Sequence, residues 1–467
     1  MAEPVQIVGG GLAGSECAYQ LARRGIPVVL YEMRPEQPTP AHKTGQFAEL
    51  VCSNSLRSDD PFHAAGLLKR EMEAFGSLII GSARRAAVPA GSALAVDRDR
   101  FAEEVTGVLE AQPLLEIVRQ EVTSLPEGDV VLATGPLTSE AMSKVLLGLL
   151  GDQYLYFYDA IAPIVDAESL DMETLFAASR YGKGGGDDYL NAPMSREDYL
   201  TFYEALTTAE VVDPHDFEKA LFFEGCLPIE EIARRGVDTL RFGPMKPVGL
   251  TAPDGTQPYA VVQLRQENLA RSHYNLVGFQ SRMKWGEQKR VLRLIPGLEK
   301  ARFERLGQIH RNTFINGPIH LDKQYRLKVA PRVRLAGQIT GVEGYLESAA
   351  SGLATALYLD LERRGGDVEP FPATTALGAM ARHLTESTAK HFQPANINYG
   401  LFEPFPKKIR RRERRQRYTE RAAEALGSWM EQHGFEDERP SEDHAESTEG
   451  PAQAVETKEN SSEVVTP

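Results

Sequence analysis

Three cysteines are the residues of this chain most able to do covalent chemistry, and their surroundings differ. Cys226 sits in Gly225-Cys226-Leu227-Pro228-Ile229-Glu230-Glu231. Pro228 suits the first turn of a helix, Glu230 and Glu231 suit its positive end, and Gly236 would end it. A thiol just before a helix N-terminus has a lowered pKa, which favours the nucleophilic thiolate. The alternative is an ordinary loop cysteine. Cys52 lies in Glu49-Leu50-Val51-Cys52-Ser53-Asn54-Ser55-Leu56-Arg57-Ser58. These neighbours are largely small and polar, with Arg57 close, whereas a structural cysteine normally sits among apolar residues. Function and packing both stay open for it. Cys17 shares helical spacing with Ala13 and Leu21, the mark of a packed core stripe. The three are far apart and no CxxC exists, so neither a metal site nor a disulfide framework is expected.

A second chemistry is written in the first thirty residues. Val5-Gln6-Ile7-Val8 reads as a strand, Gly9-Gly10-Gly11-Leu12-Ala13-Gly14 as a turn, and the chain to about Arg24 as a helix. Pro27 to Glu32 reads as a second strand ending in an acid. This order is that of a dinucleotide-binding unit. Gly9 allows the tight turn, Gly11 leaves room for a pyrophosphate, and Gly14 lets helix and sheet approach. The helix start offers N–H groups and partial positive charge to phosphates. Glu32 can accept from a ribose hydroxyl, and Arg34 is counted with it among the cofactor residues.

The elements that position these groups are spread along the chain. A helix is expected from Pro61 to about Phe75, another from Asp97, and strands at Glu121–Leu125 and Val130–Pro136. Val333 to Gly337 reads as a further strand, Gln338 to Tyr345 as a glycine-rich loop, and Leu346 to about Leu361 as a helix. That late unit is similar to the second FAD contact of glutathione-reductase-like flavoproteins, and favours FAD over NAD as the tightly held ligand. The expected fold class is α/β: a Rossmann-like FAD-binding domain split by an inserted α+β domain. The divisions expected are 1–136 and 327–368 for the FAD-binding parts, 137–326 for the insertion, 369–434 for a basic helical segment, and 435–467 for an acidic disordered tail. Tyr181 to Gly186 is glycine-rich but lacks a P-loop's strand and GK[ST], and reads as a mobile loop.

The chain has 467 residues, 42% hydrophobic and 25% charged, which fits a globular protein of two or three domains. No apolar run is long enough to span a bilayer, and no signal peptide is evident, so a cytoplasmic protein without membrane contact is expected. The net charge of −14 is unevenly spread. Lys407 to Arg421 holds nine Lys/Arg against Glu413 and Glu420. Arg410, Arg411, Arg412, Arg414 and Arg415 in that stretch can bind phosphates without reading sequence. A solvated helix face paired to acids is the bland alternative.

The turn Gly9 to Gly14, Glu49-to-Ser58, Phe223-Glu224-Gly225-Cys226-Leu227-Pro228, Arg241-to-Leu250, Gln263-Leu264-Arg265-Gln266-Glu267-Asn268, Gly278-Phe279-Gln280 and Gly337-to-Tyr345 occur in that order. Together they resemble the folate- and FAD-dependent tRNA (uracil-5-)-methyltransferase family, TrmFO, up to about residue 430. The resemblance implies 5-methyluridine formation at position 54 in the T loop of tRNA. It implies methylenetetrahydrofolate as carbon donor, reduced FAD as carrier and reductant, and NAD(P)H as the source of electrons. It assigns Cys226 as the thiolate that adds to uracil C6 and Cys52 as a partner thiol near the flavin, with an exchange of roles left open. Gly337, Gln338 and Tyr345 would lie at the flavin, Tyr345 stacking near the isoalloxazine, and the arginine segment would hold tRNA. No obligate protein partner is expected. The alternatives are the related wobble-uridine flavoproteins, which need a GTPase partner and a longer helical C-terminus; a general FAD oxidoreductase; and a non-catalytic flavin-bound RNA-binding protein.

Overall fold

A computed structural model describes residues 3–438, apart from 40, 152–153, 161, 213–226, 308, 366–367, 408 and 411; for 154–160, 309–312 and 391 it describes the backbone alone. Cys226, Arg411 and the acidic tail beyond 438 therefore lie outside the described residues.

A six-stranded sheet carries the glycine turn. Its order is Arg326–Leu327, Ala330–Leu335, Val130–Leu132, Val5–Val8, Val28–Tyr31 and Leu115–Val118. Neighbours run parallel except the outer pair Arg326–Leu327 and Ala330–Leu335. Ile7 faces Leu30 on one side and Val131 on the other, and all three are fully buried. A parallel sheet covered on both faces needs apolar residues at both parities, which explains the near-continuous runs Val5–Val8 and Val130–Leu132.

One strand differs from the sequence expectation. The edge is formed by Leu115–Val118, and among the described residues Glu121 to Leu125 pairs with no strand. Val122 and Leu125 instead pack as side chains against the cluster beneath the sheet. The two are three residues apart, a spacing that does not put them on one face of a strand.

Helix Leu12–Arg23 packs against the long helix Tyr345–Arg363 at backbone distance. A Cβ at Gly352 would lie 2.1 Å from the Ala13 carbonyl oxygen. Gly352→Val therefore forces the two helices apart, at a cost of about 1–3 kcal/mol. A lower Tm together with weaker FAD retention is the expected outcome, by thermal melt and flavin absorbance.

A second sheet comes wholly from residues between 164 and 305. Its order is Phe176–Ala177, Tyr189–Met194, Ala260–Gln266, His273–Leu276, Ile164–Asp166 and Phe303–Arg305, all antiparallel. The chain leaves toward this sheet and returns from it through Tyr154–Ala160 and Ile309–Ile315, paired antiparallel side by side. The glycine-rich loop after Tyr181 meets the first unit: the Gly91 N–H donates to Asp188, and the Tyr189 hydroxyl donates to the Ala90 carbonyl.

A small sheet of Ser55–Ser58, Ala93–Val96 and Ala87–Val88 fixes the segment just after Cys52. Helix Arg414–His433 buries Tyr418, Ala422, Leu426, Trp429 and Met430 on the core of the first unit and leaves Arg414, Arg415 and Arg417 outside. Among the described residues, no helix is long and apolar enough to cross a membrane.

Candidate active site

A cavity of about 410 Å³ lies at the C-terminal ends of the parallel strands, where open α/β sheets bind ligands. Gly9, Gly10, Gly11, Leu12, Ala13, Glu32, Arg34, Gly337, Gln338, Tyr345 and Cys52 all line it. Gly14 lies beneath the turn: a Cβ there would come 1.8 Å from the Gly9 carbonyl oxygen. Gly9 has φ +107°, and a Cβ on it would sit 2.5 Å from the Ala133 oxygen. Above Gly11 the space is open. The starts of two helices, Leu12–Arg23 and Tyr345–Arg363, thus meet the same cavity. A group with phosphates at one place and a negatively polarised ring at another fits this arrangement. FAD is such a group.

Glu32 is more occupied than the sequence suggests. Its carboxylate accepts from the Gly10 N–H at 2.9 Å, the Arg34 N–H at 3.0 Å, and Arg34 Nε and Nη2 at 2.9 and 3.1 Å. Burial alone would raise its pKa, but the Arg34 guanidinium and these donors outweigh it and hold the carboxyl below the usual range. Arg34 continues to Glu49 at 3.2 Å. A ribose hydroxyl bonding to Glu32 therefore joins or replaces a member of this set.

Cys52 is gripped through its backbone. The Tyr345 hydroxyl oxygen accepts the Cys52 N–H at 2.5 Å and the Ser53 N–H at 3.3 Å. Burial pushes the Tyr345 phenol up from its ordinary pKa, so it stays protonated. Arg305 Nη2 donates to the Cys52 carbonyl at 2.9 Å, and Arg98 Nη2 does so at 3.3 Å. The sequence alone assigns no role to either arginine. Arg57 also lines the cavity, with φ +67° and its guanidinium on the buried Glu347 carboxylate at 2.5 Å. Burial raises the Glu347 pKa against the pull of Arg57. Cys17, by contrast, is fully buried and its thiol pKa is pushed up by desolvation.

Cys226 lies outside the described residues, and Leu227 is described. Pro228 precedes helix Ile229–Arg234, and the Ile229 N–H donates to the Gln280 carbonyl at 2.7 Å. Gln280 lines the cavity.

Arg410, Arg412, Arg414 and Arg415 are exposed. Arg410 and Arg412 come within 3.9 and 3.6 Å of Glu413. Arg414 and Arg415 open helix Arg414–His433, whose first turn holds no acid. Cations there oppose the helix dipole, so local stability does not explain them. His63 has its pKa lowered by burial, then by Arg57 and Arg415. Arg415 thus acts on the same histidine as Arg57 of the cavity wall.

The family model for GIDA, "Glucose inhibited division protein A", matches residues 4–367. The chain is 56% identical over 432 residues to the methylenetetrahydrofolate--tRNA-(uracil-5-)-methyltransferase TrmFO of Geobacter sulfurreducens, covering 92% of this chain and 99% of that protein. The chain belongs to the TrmFO family. The TrmFO of Bacillus velezensis is 54% identical over 426 residues, with 91% and 98% covered. Among solved structures, GidA of Aquifex aeolicus superposes with a TM-score of 0.67 at 17% identity, over 94% of this chain and 74% of that one. At that identity the likeness speaks for the fold alone.

Proposed function

We propose that this TrmFO family member forms 5-methyluridine in the T loop of tRNA with methylenetetrahydrofolate as carbon donor, that NAD(P)H reduces its flavin, and that Cys226 and Cys52 are its two working thiols. The observation that carries the reading is the position of Cys52, on the wall of the cavity shared by the glycine turn and Tyr345.

FAD, bound and reduced, would supply the carrier and the hydride for the one-carbon unit. The turn Gly9 to Gly14 would take its pyrophosphate on the N–H groups of Leu12 and Ala13, Glu32 and Arg34 its ribose, and Gly337, Gln338 and Tyr345 its ring. The remaining steps belong to the protein. Uracil C5 is a poor nucleophile. Addition of the Cys226 sulfur to C6 forms a C–S bond and shifts electron density to C5, which can then attack the one-carbon unit. Loss of the C5 proton with cleavage of the bond between the one-carbon unit and its carrier leaves a methylene on C5; a hydride, which the reduced flavin would supply, adds to that carbon as the Cys226 sulfur leaves, restoring the 5,6 double bond and giving the methyl group. Cys52 assists proton transfer or methylene handling. The target uridine has to leave its stack to be reached.

The arginines would hold tRNA phosphates while the base enters. Replacing Arg410, Arg412, Arg414 and Arg415 by Gln is expected to raise the tRNA KM at least about tenfold with kcat little changed. It should also flatten the dependence of log affinity on log salt by roughly 3. An unchanged salt slope would remove these residues from the interface.

Incubation of the purified flavoprotein with unmodified tRNA, methylenetetrahydrofolate and NADPH tests the reading as a whole. 5-Methyluridine at the T-loop position is expected. Its absence with every reactant supplied would sink the proposal, and formation without NADPH or NADH would remove the reductant from it.

A further inference from the structure

The loop Leu50–Ser53 is held by two guanidiniums from separate parts of the chain. Arg305, at the end of strand Phe303–Arg305 in the second sheet, donates from Nη1 to the Val51 carbonyl at 2.8 Å and from Nη2 to the Cys52 carbonyl at 2.9 Å. Arg98, at the start of helix Arg98–Glu110, donates to the carbonyls of Leu50 at 3.0 Å and Cys52 at 3.3 Å. With Tyr345 on the Cys52 N–H, both backbone groups of the cysteine are fixed.

The charges in this cluster do not balance. Arg305 is faced by Arg98, Glu267, Cys52 and Tyr345. Glu267 lies against Arg98, with its Oε2 2.7 Å from Arg98 Nε. Its carboxylate is buried, and neither oxygen has an aligned hydrogen-bond donor. Arg305 Nε is buried and likewise without a hydrogen-bond partner. Two cations thus face one carboxylate, and desolvation with the repulsion of Arg98 brings the Arg305 pKa down to about 10. Arg305 stays charged at neutral pH. A further negative charge at this spot is stabilised. Tyr345 cannot supply it readily because burial opposes its ionisation. The Cys52 thiol is the neighbour that can.

We propose that Arg305 and Arg98 are positioning residues that hold the Cys52 loop against Tyr345 and favour the thiolate form of the Cys52 sulfur, so that a residue of the second sheet controls a thiol on the wall of the flavin-type cavity. This rests on Cys52 being a working thiol. Its chemical state, however, can be read without tRNA or folate.

The test is the pH dependence of Cys52 alkylation by iodoacetamide in the purified flavoprotein, followed on the Cys52 peptide by mass spectrometry. The wild-type midpoint is expected below about 8.5, the ordinary thiol value. Arg305→Gln raises it by about one unit. Arg305→Lys keeps the charge and leaves the midpoint within about 0.3 of wild type, but loses the two-carbonyl fork. Its methylation kcat should then fall without a change in tRNA KM. Arg98→Gln moves the midpoint in the same direction as Arg305→Gln and guards against one variant failing to fold. A wild-type midpoint at or above 8.5 would overturn the proposal, as would flavin-loaded Gln variants that titrate like wild type. If instead Cys52→Ala kept full methylation while the midpoints shifted as described, the assigned role of Cys52 would fall and the electrostatic inference would stand.

Discussion

Cys226→Ala is expected to lower 5-methyluridine formation by at least about 10³-fold while leaving bound FAD and tRNA affinity near wild type. The size follows from the chemistry. Without a sulfur on C6 there is no electron-rich C5, and no other step makes up for that. The flavin should be unaffected because the residues that would hold it are on other segments: the turn at Gly9 to Gly14, Glu32 with Arg34, and Gly337 to Tyr345. Activity by nucleoside analysis and flavin content by absorbance separate the two effects. Cys52→Ala should also retain tRNA affinity, but its backbone contacts to Tyr345, Arg98 and Arg305 use main-chain atoms and survive the change. A loss of rate in that variant would therefore report on the sulfur itself.

The second large effect is on the cofactor. Gly14→Ala places a methyl 1.8 Å from the Gly9 carbonyl oxygen. That contact is with backbone, so no rotamer relieves it. Gly9 cannot retreat either, because it is held in the left-handed region at φ +107° against Ala133. The turn has to open, which moves the N–H groups of Leu12 and Ala13 away from a bound pyrophosphate. Purified Gly14→Ala protein is expected to carry less than about a tenth of the wild-type flavin, with activity reduced in proportion. Flavin content near one per chain would show that the turn is not the anchor of the cofactor. A milder loss is expected for Gly11→Ala, since a Cβ there meets nothing within 4 Å in the protein and could clash only with a ligand.

The glycine turn was legible because its constraints are local. Strand, tight turn and helix start are adjacent in sequence, and Gly9 and Gly14 answer to contacts within that unit or next to its neighbouring strand. The late unit around Gly337 to Tyr345 was legible for the same reason, as a strand, a glycine-rich loop and a small-residue helix in succession. The edge strand was not. Leu115–Val118 and the segment Glu121 to Leu125 are both short and of mixed polarity, and only pairing with Val28–Tyr31 decides between them. The engagement of Glu32 by Arg34 was hidden because a carboxylate at a strand end reads as a free acceptor until its neighbours are placed. Least legible was the grip on Cys52. Tyr345 is 293 residues away in sequence and Arg305 is 253 away. No motif carries those distances. Arg98 could be read as part of a helix start, and Arg305 offered no signal at all.

The division of labour between the thiols is the central claim, and a trapped adduct tests it most directly. A T-loop RNA carrying 5-fluorouridine at the target position can accept sulfur at C6 and carbon at C5, but fluorine cannot leave as a cation in place of the proton. The adduct therefore persists and can be located by peptide mass spectrometry after incubation with the flavoprotein, methylenetetrahydrofolate and NADPH. The predicted result is RNA attached to the peptide containing Cys226, and none attached in Cys226→Ala. RNA on the Cys52 peptide, or an adduct that forms as well in Cys226→Ala, would contradict it.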